Sequence, residues 1–142
     1  MGSEHGTVHH QCGTAAERFA MIEVFKEVRN GTRTVVAIGQ PGPGNAYHTY
    51  EVSHTDEGSD AFRSLGAVHF QNGPIKEAGV NGIHNEDLLA IVAHRLECFQ
   101  TSPFACQENA DALAAVQEAR RILASRTSRR VAAGTEGTHN GT

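Results

Sequence analysis

The spacing of apolar and polar positions along this chain changes once. In the first half it follows the period of two that marks strands. RFAMIEVFKEV sets Phe19, Met21, Ile22, Val24 and Val28 among polar neighbours. Asn30-Gly31 follows, a pair that suits a two-residue hairpin turn because both positions need positive φ. RTVVAIG then reads as a β-branched strand. QPGPGNA is a loop, since its two prolines and two glycines deny a ladder there. YHTYEVSH alternates Tyr50 and Val52 against Thr49, Glu51 and Ser53, and predicts a third strand. TDEGSD predicts a turn, residues 61–65 a short helix, GAVHFQNG a fourth strand and PIKEAGVNG a connecting loop.

After Gly82 the period becomes 3.6. NEDLLAIVAHRLECFQ places Leu88, Leu89, Ile91, Val92, Leu96 and Phe99 as the apolar set of an amphipathic helix. Asn85 suits its N-cap, with Glu86 and Asp87 in a first turn that favours anions. The helix should stop near Gln100. Ser102 and Pro103 supply a cap and a first helical residue for a second helix, which runs through the Ala-rich ACQENADALAAVQEARRILASR and frays by Ala132. The short connection makes the two helices antiparallel neighbours. The predicted architecture is α+β: a small N-terminal antiparallel β-sheet followed by a C-terminal antiparallel helical hairpin. Along the chain this gives a flexible arm over 1–16, a β-rich region over 17–82, the hairpin over 83–132 and a polar tail over 133–142.

Composition adds size and setting. The chain has 142 residues, 39% hydrophobic, with no Trp. That permits one modest core and makes a homo-oligomer a sensible expectation. No apolar run approaches the ~20 residues that cross a bilayer. The first residues, MGSEHGTVHHQCGT, lack a secretory signal, and Gly6 stands where a myristoylation motif wants Ser or Thr. Three cysteines, an odd count without such a signal, point to reduced thiols in a cytosol.

Candidate chemistry is sparse. His5, His9, His10 and Cys12 could meet a soft metal, but a zinc site usually needs a second ligand pair, and a solvated arm explains them as well. His94 and Cys98 share a helix face, with Cys106 beyond the turn. Nothing supplies an oxyanion hole or a third group, so neither a nucleophile nor a metal centre follows. GQPGPGN lacks the Lys-Ser/Thr ending of a phosphate loop.

The arginines stand out. Five of the ten lie within residues 119–130, ARRILASRTSRR, in a chain of formal net charge −4. Arg126 and Arg130 are four apart and share a helix face, with Arg129 beside them. A solvated basic face, offset by Glu97, Glu108, Asp111 and Glu118, is one reading. The other is an anion site, since the guanidinium fork matches phosphate oxygens. A −4 chain without interleaved aromatics is a poor partner for duplex nucleic acid, so a small, multiply charged phosphate ligand fits that reading better.

LLAIVAHRLECFQ, the turn TSPFAC, QENADAL, and LASRTSRR followed by GTEGTH resemble, in order and spacing, the helical hairpin shared by phage Thoeris anti-defence sponges and phage anti-CBASS cyclic-nucleotide sponges. The likeness covers about residues 83 to 139, and the β-rich part before it suits the Thoeris type. The resemblance implies a non-enzymatic protein without cofactor or metal, acting in the cytoplasm of an infected bacterial host. It would hold intact a cyclic ADP-ribose isomer made by TIR proteins, or a cyclic oligonucleotide. By motif position it implies Phe99 for the base, Asn109 for a base edge or ribose, and Arg126 and Arg130 for the phosphates, with Arg129 as a helper. Asn109 and Arg126 are 17 residues apart on one helix, about 25 Å of rise and about 100° of rotation. One small ligand cannot span that within one chain, so the pocket is expected between chains of a homo-oligomer, a dimer or a dimer-based hexamer. A phage structural or adaptor protein that uses the hairpin for assembly is the alternative.

Overall fold

In the computed structural model the described residues are 26–29, 32–59 and 61–138. The expected arm, the strand residues before Lys26, the Asn30-Gly31 turn and residues 139–142 lie outside them. Strands β1 (Lys26–Arg29), β2 (Arg33–Ile38), β3 (Thr49–Thr55) and β4 (Phe62–His69) form one four-stranded sheet in the order β1-β2-β3-β4. Three helices follow: α1 (Ile75–Ala78), α2 (Asn85–Gln100) and α3 (Gln107–Ala132). The architecture is α+β, with an antiparallel sheet ahead of a helical hairpin.

β1 and β2 pair antiparallel, and Arg29 faces Arg33. This register leaves residues 30–32 between the strands. Residues 61–65 are not the expected helix, because β4 starts at Phe62. An isolated helical turn fixes several dihedrals for one hydrogen bond, whereas a strand against β3 gains a ladder bond every second residue. β4 is mostly exposed, and Arg63 marks it as a solvated sheet edge.

The chain separates into two compact units: one from the chain up to Gln40 with Tyr50–Ala67, the other from Pro41–Thr49 with Val68 onward. In the first, Val36, Ala37 and Ser53 are buried. In the second, α2 packs on α3 and Ala93 is the buried residue of α2. A methyl side chain there lets the two backbones come close.

The segment expected as a plain connection between β4 and α2 is a closed loop. A parallel bridge joins Phe70 to Ile83, with Gln71 N–H to the Ile83 carbonyl at 2.8 Å and Ile83 N–H to that of His69 at 2.9 Å. Inside it, Gln71 Nε2 donates to the Gly79 carbonyl at 2.7 Å, and Gln71 Oε1 accepts from Asn81 N–H at 2.9 Å. Asn81 completes a two-way clasp with the backbone of Asn72, both bonds at 2.7 Å. These side chains satisfy loop backbone groups on either side of α1, which is only four residues long. Gly82 is required where the loop closes, since a Cβ there would lie 2.4 Å from the Phe70 carbonyl carbon. Asn81→Ala removes both arms of the clasp and should cost about 1–2 kcal/mol. A lower urea midpoint at unchanged m-value is the expected readout.

The helix starts differ from expectation. His84, not Asn85, caps α2, and Asp87 reaches back to accept the His84 N–H at 2.8 Å. With Asn85 as the cap, Leu88 would hold that position and could accept nothing. The second helix does not restart at Pro103 but at Gln107, after Cys106. Side chains hold the turn open for longer. Ser102 Oγ donates to the Phe99 carbonyl at 2.7 Å and accepts the Phe104 N–H at 3.1 Å, while Gln100 Oε1 accepts the Cys106 N–H at 3.1 Å.

α3 ends in a Schellman turn. Gly134 has φ of 69°, its N–H reaches the Val131 carbonyl at 3.0 Å, and Thr135 N–H reaches that of Arg130 at 3.0 Å. The chain then folds back as a strap over residues 135–138, where a polar tail was expected. Lys76 N–H donates to the Gly137 carbonyl at 3.2 Å, which fastens the strap to α1.

Candidate functional site

A cleft of about 340 Å³ opens in the second unit, at the C-terminal end of α3. The helix contributes Arg126 and Arg130. The strap contributes Glu136, Gly137 and Thr138, and the closed loop supplies Gln71, Gly73, Pro74 and Ile75. His84, Pro43, Gly44, Ala46 and His48 complete the wall. The loop before β3 is shaped for His48. A Cβ on Gly42 would meet the His48 imidazole at 2.5 Å, so a larger residue there would displace that ring.

The two arginines differ in their surroundings. Arg130 is nearly buried, its side chain 13% exposed. Its Nη2 donates to the carbonyls of Thr135 and Thr138, both at 2.9 Å, and its Nε to Glu136 Oε2 at 3.1 Å. Arg126 is exposed on the cleft wall. Among the described residues it makes no hydrogen bond or ion pair, so its five N–H groups face solvent. Cationic Arg126 and Arg130, anionic Glu136 and two imidazoles therefore meet in one concavity. Its chemistry suits an anion bearing several oxygen acceptors.

The other arginines of the run lie elsewhere. Arg129 is exposed and is not part of the cleft wall. Arg121 forms a fork with Glu118, at 2.8 and 2.6 Å. That hydrogen bond chiefly holds the Glu118 carboxyl below its ordinary range, against an opposing desolvation, and the charge of Arg121 adds a smaller lowering. The pair's contribution is present at neutral pH and is lost as pH falls through the lowered value. Arg120 Nη1 donates to Gln117 at 2.9 Å, and Gln117 Nε2 to Glu97 at 3.0 Å, which links α3 to α2.

Phe99 and Asn109 lie at the opposite end of the hairpin, next to the turn, and neither lines the cleft. The guanidinium of Arg95 sits over the Phe99 ring, 5.1 Å from its centroid. The expected set is thus divided into an arginine end and an aromatic end. His94 Nε2 and Cys98 Sγ are 3.7 Å apart on the exposed side of α2. Among the described residues no three ligating groups converge for a metal.

Reading the sequence missed His48, His84, Gln71, Glu136 and Thr138. Only the strap left a signal, the Ala-Gly-Thr that ends α3 in the manner of a Schellman turn. The other residues come together by tertiary folding.

Residues 66–121 match the family model of the Acb2/Tad1 hairpin domain. The match includes Phe99 and Asn109 and ends five residues before Arg126. Over 75 residues the chain is 51% identical to "Thoeris anti-defense 1" of Bacillus phage SBSphiJ7. That alignment covers 53% of this chain and 53% of the relative, so the chain spans about half the length of the curated protein it matches.

Proposed function

We propose that this protein is a phage anti-defence protein that binds a nucleotide second messenger of bacterial immunity and holds it without cleaving it, inside the infected cell. The observation that carries the reading is Arg126, an unpartnered guanidinium in a preformed cleft, on the long helix of an Acb2/Tad1 hairpin. The ligand class is a cyclic ADP-ribose isomer, or a cyclic oligonucleotide of the CBASS type. Its phosphates sit against Arg126 and the cleft-facing edge of Arg130, and Arg129 adds charge at the rim. Phe99 stacks on the base, worth roughly 1–3 kcal/mol. Its other face is already backed by Arg95. Asn109 offers a donor and an acceptor to a base edge or ribose hydroxyl.

The site requires a second copy of the chain, because Phe99 and Asn109 stand too far from Arg126 along one hairpin. Apolar side chains left uncovered on both helices support that pairing: Ile91 is 63% exposed, Ile122 52% and Val131 60%. Mixing Phe99→Ala chains with Arg126→Ala chains tests it. In a twofold assembly each pocket takes Phe99 from one chain and Arg126 from the other. At a ligand concentration that saturates wild type and leaves each variant alone largely empty, random mixing then restores about a quarter of the wild-type binding capacity. A pocket built within one chain gives no recovery.

Capture without turnover is tested directly. The protein is incubated with cyclic ADP-ribose, freed of unbound ligand, heat-denatured, and the supernatant analysed. Recovery of intact ligand is the expected result. A hydrolysed product would make the protein an enzyme. No retained ligand would favour a phage structural or adaptor protein, for which the uncovered apolar residues would be the assembly surface.

A further inference from the structure

Binding phosphate explains Arg126 but not why the carboxylate that pairs with Arg130 lines the cleft. A cleft made only to attract anions gains nothing from a carboxylate on its wall. Yet Glu136 sits there, 41% exposed, 3.1 Å from Arg130 Nε. The two carbonyl bonds to Nη2 keep Arg130 against the strap, and the strap is fastened to α1 through Gly137. The carboxylate therefore cannot leave the cleft as a free side chain on a loose tail would. It offsets the charge of Arg130 and leaves Arg126 as the uncompensated guanidinium. His48 and His84 are the other titratable groups on the wall, and Lys76 packs beside Gly137.

A fixed negative charge inside a cationic cleft acts on ligands according to their own charge. Phosphodiesters and internal pyrophosphates carry one negative charge per phosphorus. Nucleotides with a terminal phosphate carry more. We propose that Glu136 is a specificity-determining residue. It disfavours nucleotides with terminal phosphates and so reserves the cleft for cyclic or internally esterified ones. Selectivity of this kind comes from an unfavourable contact with the wrong ligand, not a better one with the right ligand. The inference rests on reading the cleft as a phosphate site.

The experiment titrates wild type and Glu136→Gln with ATP and with cyclic ADP-ribose by calorimetry, without magnesium. Glu136→Gln should bind ATP roughly three- to tenfold more tightly, the size expected for one partly exposed charge acting on a few others. Cyclic ADP-ribose should change by less than about twofold, and the gain for ATP should shrink at high salt. Wild type alone gives a second measurement that needs no variant to fold. Across adenosine mono-, di- and triphosphate its affinity should stay flat or fall as charge is added. A rise along that series, an unchanged ATP affinity in Glu136→Gln, or an equal gain for both ligands overturns the inference while cyclic ADP-ribose still binds wild type. If wild type binds neither ligand, the phosphate reading fails and the inference fails with it.

Discussion

Replacing Arg126 with alanine should weaken binding of the nucleotide ligand by roughly a hundredfold and leave the melting temperature of the free protein unchanged. The two halves of that result have separate causes. A guanidinium with no partner among the described residues stabilises nothing in the fold that it could take away. Exposed substitutions of this kind usually stay within about 0.5 kcal/mol. In the complex it supplies charge-assisted, forked hydrogen bonds to phosphate, each worth about 1.5–3 kcal/mol. Two such bonds exceed the roughly 2.8 kcal/mol that corresponds to a factor of a hundred. Arg126→Lys should fall between the two, since it keeps the charge and loses the fork. Calorimetry gives the affinity, and a thermal melt of the free protein gives the control. A fall in melting temperature matching the loss of affinity would mean that Arg126 belongs to the fold and not to the site.

Arg130→Ala should do the reverse in the free protein. The side chain is nearly buried and bonded to two carbonyls and one carboxylate. Its removal strands the Thr135 and Thr138 carbonyls and leaves Glu136 without its counter-charge. The expected cost is about 2–4 kcal/mol where the strap unfolds with the rest of the chain. The strap can also open by itself, so the first sign is faster hydrogen exchange at the Lys76 and Thr135 amides. Ligand affinity falls as well, because Glu136, Gly137 and Thr138 no longer form the wall. If both amides keep their protection in the variant, Arg130 is not what holds the strap.

The contrast between these two residues was not legible in the sequence. Both occupy one face of one helix at a spacing of four, and periodicity treats them alike. What separates them is Gly134, whose left-handed turn returns the chain toward Arg130 and not toward Arg126. The hairpin was legible, because DLLAIVAHRLECFQ repeats at 3.6 and an Ala-rich helix follows. Its boundaries shifted where side chains competed for backbone groups, at Asp87 in the first turn of α2 and at Ser102 and Gln100 before α3. The sheet was legible from alternation. The extra length of β4 over residues 62–65 was not, since FRSL alternates poorly and gains its order from β3. His48 and His84 carry no local signature. They reach the cleft through the glycine beneath one and the cap position of the other.

The strap also puts assembly and binding at different moments in the life of the chain. Residues 85–132 are made before the strap and contain the whole hairpin, with the exposed Ile91, Ile122 and Val131 proposed to meet a second copy. Glu136, Gly137 and Thr138 emerge only afterwards. On the proposed pairing, a chain stopped after Thr135 would keep the means to associate and lack one wall of the cleft. Such a fragment, made alongside the full chain, would enter mixed assemblies and dilute their binding sites. A nonsense mutation in those few codons should therefore be dominant over the intact gene product, not recessive to it.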